Sequence, residues 1–172
     1  LWQFLRQGGA ANAQQLFNCI ASHWLQRDYA WGEPQPLPRV GLYHPQLSTP
    51  SLSDWQASWP VGAPVAALLF YRTQVQAATT GLIDVFCQRL RAQGLNPLPI
   101  AVASRKEAAC LAQVEDWLDA TDCALIINTT AFALSNPEAP SERPFRRDIP
   151  VLQAICALDN HAQWQANAQG LG

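Results

Sequence analysis

The chain has 172 residues, enough for one hydrophobic core of ordinary size, and 14% of them are charged, against about a quarter in an average globular domain. A net charge of −2 argues against a nucleic-acid groove, which needs a basic stripe. The longest apolar run, 61–71, is far shorter than the roughly 20 residues of a membrane-spanning helix, and no charged segment leads into an apolar stretch as in a secretory signal.

The sequence begins at Leu1 and contains no Met, which predicts a segment of a longer polypeptide. Two readings account for the sparse charge. One is a domain packed against neighbouring domains, where ionic groups would be costly to desolvate; the other is a compositional bias toward Gln. Cys19, Cys87, Cys110, Cys123 and Cys156 are scattered, odd in number and free of any Cys-x-x-Cys spacing. They are expected to be reduced, buried thiols, which points to a cytoplasmic location.

Residues 12–27 space Leu16, Ile20 and Trp24 four apart, with Phe17 and Leu25 beside them, predicting a helix with that face inward. Gly8-Gly9 ahead of it reads as a turn or a close backbone approach that a Cβ would forbid. A Pro-rich connector at 33–38 leads to a short strand at 39–44, stopped by Pro45. Residues 51–59 fit a helix carrying Leu52, Trp55 and Trp59 on one face.

The continuous apolar run 64–71 predicts a strand covered on both faces. A helix over 80–93, with Leu82, Ile83, Phe86 and Leu90 inward, should end at Gly94 in the left-handed conformation. Residues 97–103 form a second strand. Ser104 with Glu107 makes a capping box for a helix burying Leu111, Val114, Trp117 and Leu118. A third strand is expected at 123–128, a surface loop at 136–148, a fourth strand at 149–155, and a last helix from about 159.

That succession predicts an α/β fold, a doubly wound (flavodoxin- or Rossmann-like) parallel sheet. Residues 1–60 would form an N-terminal helix and connector layer, and 61–172 the parallel α/β domain. Ligands of such sheets sit at the carboxyl ends of the strands where strand order reverses. With the 64–71 strand central, the switch point lies between Tyr71-Arg72 and Asn128-Thr129-Thr130. Arg72 could fork a carboxylate or hold a loop carbonyl. Asn128, Thr129 and Thr130 could line the crevice or close the strand with side-chain turns. Phe132 follows on the same loop, and Tyr43 and His44 end an earlier strand.

No Gly-rich phosphate loop occurs. His44 lacks evident partners for a zinc site, and no nucleophile has a recognisable elbow. The residues alone support a small-molecule or interdomain crevice. They leave open a stand-alone binding module and a scaffold for sister domains.

Several stretches taken together resemble the large subunit of aerobic, ATP-dependent cobaltochelatase and the related magnesium chelatase H subunit. They are Gly8-Gly9-Ala10-Ala11-Asn12, Gly41-Leu42-Tyr43-His44-Pro45, Leu69-Phe70-Tyr71-Arg72, Gly94-Leu95-Asn96-Pro97-Leu98-Pro99, Asn128-Thr129-Thr130-Ala131-Phe132-Ala133 and Ile149-Pro150-Val151-Leu152-Gln153. Trp164 and Gly170-Leu171 fit as well. The likeness spans the chain in order, and the Gly-Gly-x-x-Asn and Asn-Pro-Leu-Pro segments look closer to the cobalt branch. Ser104-Arg105-Lys106 stands where the family often has Ser-Leu-Lys.

The resemblance implies an N-terminal-region domain of a much longer metal-inserting ligase. The intact protein would place Co²⁺ in a corrin-type tetrapyrrole, hydrogenobyrinic acid a,c-diamide, in cobalamin biosynthesis. ATP and Mg²⁺ would be used by AAA+ ATPase and companion subunits, while this segment would bind no cofactor of its own and be inactive in isolation. A magnesium chelatase H-type subunit acting on protoporphyrin IX is the alternative. Partners would be the remaining domains, the companion subunits and the tetrapyrrole.

Overall fold

In a computed structural model, residues 1–103, 108–130, 145–156 and 161–166 are described. The core is set by β2 (Val65–Tyr71), whose side chains are buried from Val65 to Phe70. Alternation sends Val65, Ala67 and Leu69 to one face, where they meet Val114 and Leu118 of α6 (Ala108–Ala120). Ala66, Leu68 and Phe70 go to the other, against Ile83, Cys87 and Leu90 of α5 (Gly81–Ala92). A strand apolar on both sides needs a helix on each face, and these two supply them.

Around β2 stand β3 (Asn96–Val102) and β4 (Leu125–Asn128), both parallel to it, with β5 (Val151–Gln153) parallel beyond β4. At the other edge β1 (Val40–Leu42) runs antiparallel to β3, giving the order β1-β3-β2-β4-β5. The doubly wound expectation holds, with the antiparallel edge strand as an addition. Residues before 61 enter the same core, through β1 and through Trp55 of α3 (Leu52–Gln56), which is buried against Phe70 and Ile83. Ser51 and Asp54 form a reciprocal capping box at the start of α3.

Two prolines sit inside β3, a paired strand where proline is normally excluded. Asn96 N–H donates to Pro64 of β2's entry, so even-numbered residues of β3 face β2 and Pro97 and Pro99 face the other flank. Ala103 N–H donates to Arg39 O and Tyr43 N–H to Pro99 O, the rungs of the β1 ladder. Pro99 cannot return the second bond of its rung. The carbonyl of Tyr43 is met instead by Trp55 Nε1 at 2.8 Å. An indole from α3 thus replaces the missing ladder donor.

Gly94 has φ +76°, and α5 ends with Leu95 N–H on Leu90 O and Gly94 N–H on Arg91 O, as a left-handed glycine stop requires. Other expectations are corrected. Helix α2 spans Ala10–Trp24 rather than 12–27, and its buried residues are Asn12 and Cys19, while Phe17, Trp24 and Leu25 are exposed. Asn12 can be inside because its amide donates to Gly8 O and Gln35 O and accepts from Gln35 N–H, all within 2.9 Å. Leu82 of α5 is also exposed, its inward place taken by Cys87. Four cysteines are buried but Cys156 is exposed, and none forms a disulfide among the described residues.

Two short helices, α1 (Trp2–Gln7) and α4 (Arg72–Gln76), were not legible in the sequence, and α7 (His161–Ala166) is the expected last helix. The capping pair Ser104 and Glu107, Phe132 and 136–144 of the expected loop lie outside the described residues. The end of that loop is pinned to α6. Phe145 is buried in the core, Arg146 pairs with Glu115, Asp116 and Asp119, and Arg147 pairs with Asp122.

Candidate functional site

The carboxyl rim assembles as the strand order requires. Leu69 and Asn128 are register partners, so the tips Tyr71-Arg72 and Asn128-Thr129-Thr130 lie side by side where β3 and β4 flank β2. Tyr71 is half-buried at the last position of β2 and caps α4, of which Arg72 is the first residue.

What those tips can offer a ligand is narrower than their polarity suggests. Thr129 donates both its N–H and its hydroxyl to Leu69 O at 2.9 Å. Asn128 Oδ1 accepts from the Thr130 hydroxyl at 2.8 Å and from Thr130 N–H at 3.3 Å, and its amide donates to Gln153 Oε1 at 2.7 Å. Gln153 in turn donates to Thr130 O at 2.8 Å. Asn128, Thr129 and Thr130 are buried, and their polar groups are turned inward to close β4 and bind β5 to it. Side-chain turns, not an open crevice wall, are what they build.

Arg72 differs. Among the described residues it makes one hydrogen bond, from Nη1 to Leu37 O at 3.1 Å, and its Nε is buried with no partner there. A guanidinium has five N–H donors, so most of the donor capacity of this cation is not used by the described residues. Its anchor Leu37 belongs to the Pro-rich connector, which the residues before it also hold. Gly9 N–H donates to Gln76 O at 2.7 Å, Gln76 Nε2 donates to Arg6 O at 3.0 Å, and Asn12 grips Gln35. Gly8, Gly9, Asn12, Gln35, Leu37, Arg72 and Gln76 therefore form one clamp, tying α1, α2 and the connector to α4 at the rim. The Gly-Gly pair was legible as a close approach, but its partner lies some seventy positions on and nothing local points to it. An open groove of about 420 Å³ runs beside the clamp, between α2 and the connector, past Asn12, Gln15, Trp31 and Glu33.

Tyr43 and His44 do not join the rim. β1 runs from Val102 at the carboxyl end of β3 back toward its start, carrying Tyr43 level with Pro99. The Tyr43 hydroxyl lies within hydrogen-bond distance of Thr80 Oγ1, at 2.9 Å, and donates to Asp84 Oδ1 at 2.8 Å. Burial, and then the Asp84 carboxylate, push its ionisation up to about 12, against the pull of the Thr80 contact. Burial and Asp84 likewise push the Cys87 thiol up to about 12. Both groups are neutral near pH 7, so neither is a ready base or nucleophile. His44 accepts from Gln46 N–H at Nδ1, 3.1 Å, and packs edge-on against Trp55 at 4.9 Å. Arg91 covers the same indole 5.1 Å from its centroid. His44 is thus a turn and stacking residue.

Among the described residues, no group of three or more His, Cys, Asp or Glu could hold a metal ion, and no helix is long and apolar enough to cross a membrane.

Residues 2–172 match the family described as CobN/Magnesium Chelatase. The chain is 66% identical over 171 residues to the aerobic cobaltochelatase subunit CobN of Pseudomonas aeruginosa, covering 99% of this chain and 14% of that protein. It is 28% identical over 182 residues to the aerobic cobaltochelatase subunit CobN of a Sinorhizobium species, again across 99% of this chain and 14% of the relative. The fold is shared with the catalytic subunit of cobaltochelatase from Mycobacterium tuberculosis, with a TM-score of 0.70 at 24% identity, over 99% of this chain and 14% of that one. The chain therefore spans about one seventh of the length of the relatives it matches.

Proposed function

The chain belongs to the CobN/Magnesium Chelatase family, and on that premise we propose that it is one domain of a cobaltochelatase large subunit that inserts Co²⁺ into a corrin-type tetrapyrrole. The observation that carries this reading is the 66% identity to a cobaltochelatase subunit across nearly the whole chain. The substrate of the intact protein is hydrogenobyrinic acid a,c-diamide, and ATP is hydrolysed by AAA+ partner subunits in the cytoplasm.

Insertion removes two pyrrole protons and strips water from the metal, so a base, metal ligands and a dry cavity must coincide. Among the described residues no group of three or more His, Cys, Asp or Glu could supply the metal ligands. This domain's part is structural: its rim faces a neighbouring domain or the edge of the tetrapyrrole. Arg72, with Tyr71 beside it, is the residue that touches that neighbour, since Asn128, Thr129 and Thr130 are spent on closing the sheet. Phe132 follows Thr130 two positions on in sequence.

The test is metal insertion by the full-length subunit with its companion subunits. Cobalt should be inserted into the corrin substrate in an ATP-dependent manner, with no magnesium inserted into protoporphyrin IX. Magnesium insertion without cobalt insertion would put the chain in the other branch. In the same assay Arg72→Ala distinguishes two roles. A raised KM for tetrapyrrole with kcat unchanged places Arg72 on the substrate, whereas unchanged constants leave it a brace for the connector.

A further inference from the structure

The N-terminal layer buries Phe4 but turns most of its other large apolar side chains outward. Trp2 and Leu5, three apart on α1, are 70% and 61% exposed, and Phe17 and Trp24, seven apart on α2, are 65% and 62% exposed. Leu25 and Tyr29 continue beyond the helix, both exposed. α1 and α2 pack on each other, and Trp24, His23 and Trp31 form a run of ring contacts at 5.8 and 5.5 Å. Helix α2 meanwhile keeps Asn12 and Cys19 inside. Leu16 and Ile20 are half-buried on that inner face, so Phe17 and Trp24 form a second apolar surface beyond the one the helix packs inward.

Six such side chains, aromatic ones presenting about 150–250 Å² each, leave on the order of 700 Å² of apolar surface. In sum that approaches the roughly 800 Å² of one side of a stable interface. Charge is nearly absent from this stretch: residues 1–31 contain only Arg6, Arg27 and Asp28. A surface of that size with so few ions to desolvate suits permanent burial rather than a reversible encounter.

We propose that the α1–α2 face is an interdomain surface, covered by another domain of the same polypeptide. The inference rests on the chelatase-subunit reading, since it is the relatives, of which this chain matches 14%, that carry the additional length. Covalent linkage favours this occupant over a second copy or a companion subunit. A tethered domain acts at an effective concentration in the millimolar range, whereas a separate chain must compete from solution.

Hydroxyl-radical footprinting of the intact large subunit tests this, reading each side chain against the same residue in the denatured chain. Trp2, Phe17 and Trp24 should lose their reactivity as fully as Trp55, which is buried within the domain itself. The loss should persist on dilution and in the absence of the companion subunits. Protection that vanishes on dilution identifies a second copy, and protection that appears only when companion subunits are added identifies them as the cover. Either result overturns the proposal, as does full reactivity under all conditions. Metal insertion is measured separately on the same preparation. An inactive but protected subunit refutes the chelatase reading alone, and an active but unprotected one refutes this inference alone.

Discussion

Gly8 and Gln76 touch so closely that a methyl group on Gly8 would sit 2.7 Å from the Gln76 carbonyl oxygen, and nearer still to its Cγ. Gly8 also has φ +68° and ψ −168°, and Gly9 has φ +84° and ψ 153°, a region that is essentially closed to residues with a Cβ. The two glycines let α1 and α2 meet at the end of α4, with Gly9 N–H reaching Gln76 O.

Gly8→Ala should therefore destabilise the domain by about 3 kcal/mol, strain and clash together. Urea unfolding of the subunit checks this. Gly62, which also has positive φ but nothing within 4 Å of an added Cβ, is the control, and Gly62→Ala should cost only about 1 kcal/mol.

Asn128→Ala removes the acceptor used by Thr130 N–H and hydroxyl and the donor to Gln153 at a fully buried site. Losses of this kind cost about 1–3 kcal/mol for each polar group left unsatisfied, so about 3 kcal/mol is expected in total. A double-mutant cycle with Gln153→Ala should show coupling of about 1 kcal/mol, because the two side chains share a bond.

Trp55→Phe keeps most of the buried volume but leaves Tyr43 O without the indole that replaces Pro99 as its donor. A cost of about 1–3 kcal/mol follows from that orphaned acceptor. Trp55→Ala adds a cavity and should cost about 3–5 kcal/mol. Thermal unfolding of the two variants should rank them in that order.

Tyr43 gives a pH dependence of defined sign. Its folded ionisation is raised to about 12 from an ordinary value of 10.0. The folded state thus holds the proton where the unfolded chain releases it, and the stability contribution is intact below pH 10 and lost as pH rises through 12. Ultraviolet titration should show a late-ionising tyrosine, and Tyr43→Phe should abolish that late phase. At the acid end Asp54, held below its ordinary 3.8 by hydrogen bonds from Ser51, stabilises the start of α3 until pH falls through that lowered value.

The centre of the fold was legible because it is written in composition. Val65–Phe70 and Leu98–Val102 are apolar on both faces, which only a covered strand allows, and Gly94 marks the end of α5 by its conformation. The adjacency of Tyr71-Arg72 and Asn128 followed from strand order alone. What failed to show was whatever depends on distant partners. Five residues of α4 are too few for a period to emerge, and the direction of β1 is not encoded in its three residues. Asn12 reads as polar and therefore outward until Gln35, twenty-three positions away, supplies its bonds. Trp24 reads as inward because periodicity reports that a face is apolar, without saying what covers it.

The prolines of β3 have one more effect. β1 reaches only as far back as Tyr43 on Pro99, so the first residues of β3 have no strand on that flank. The position there whose amide would point outward is Pro97, and it has no hydrogen to give. A stray extended segment, from a misfolded neighbour or a nascent chain, therefore finds a carbonyl there but no amide donor to complete a rung. The sheet's width is capped chemically at this border, which guards the domain against templated aggregation before its neighbours are in place.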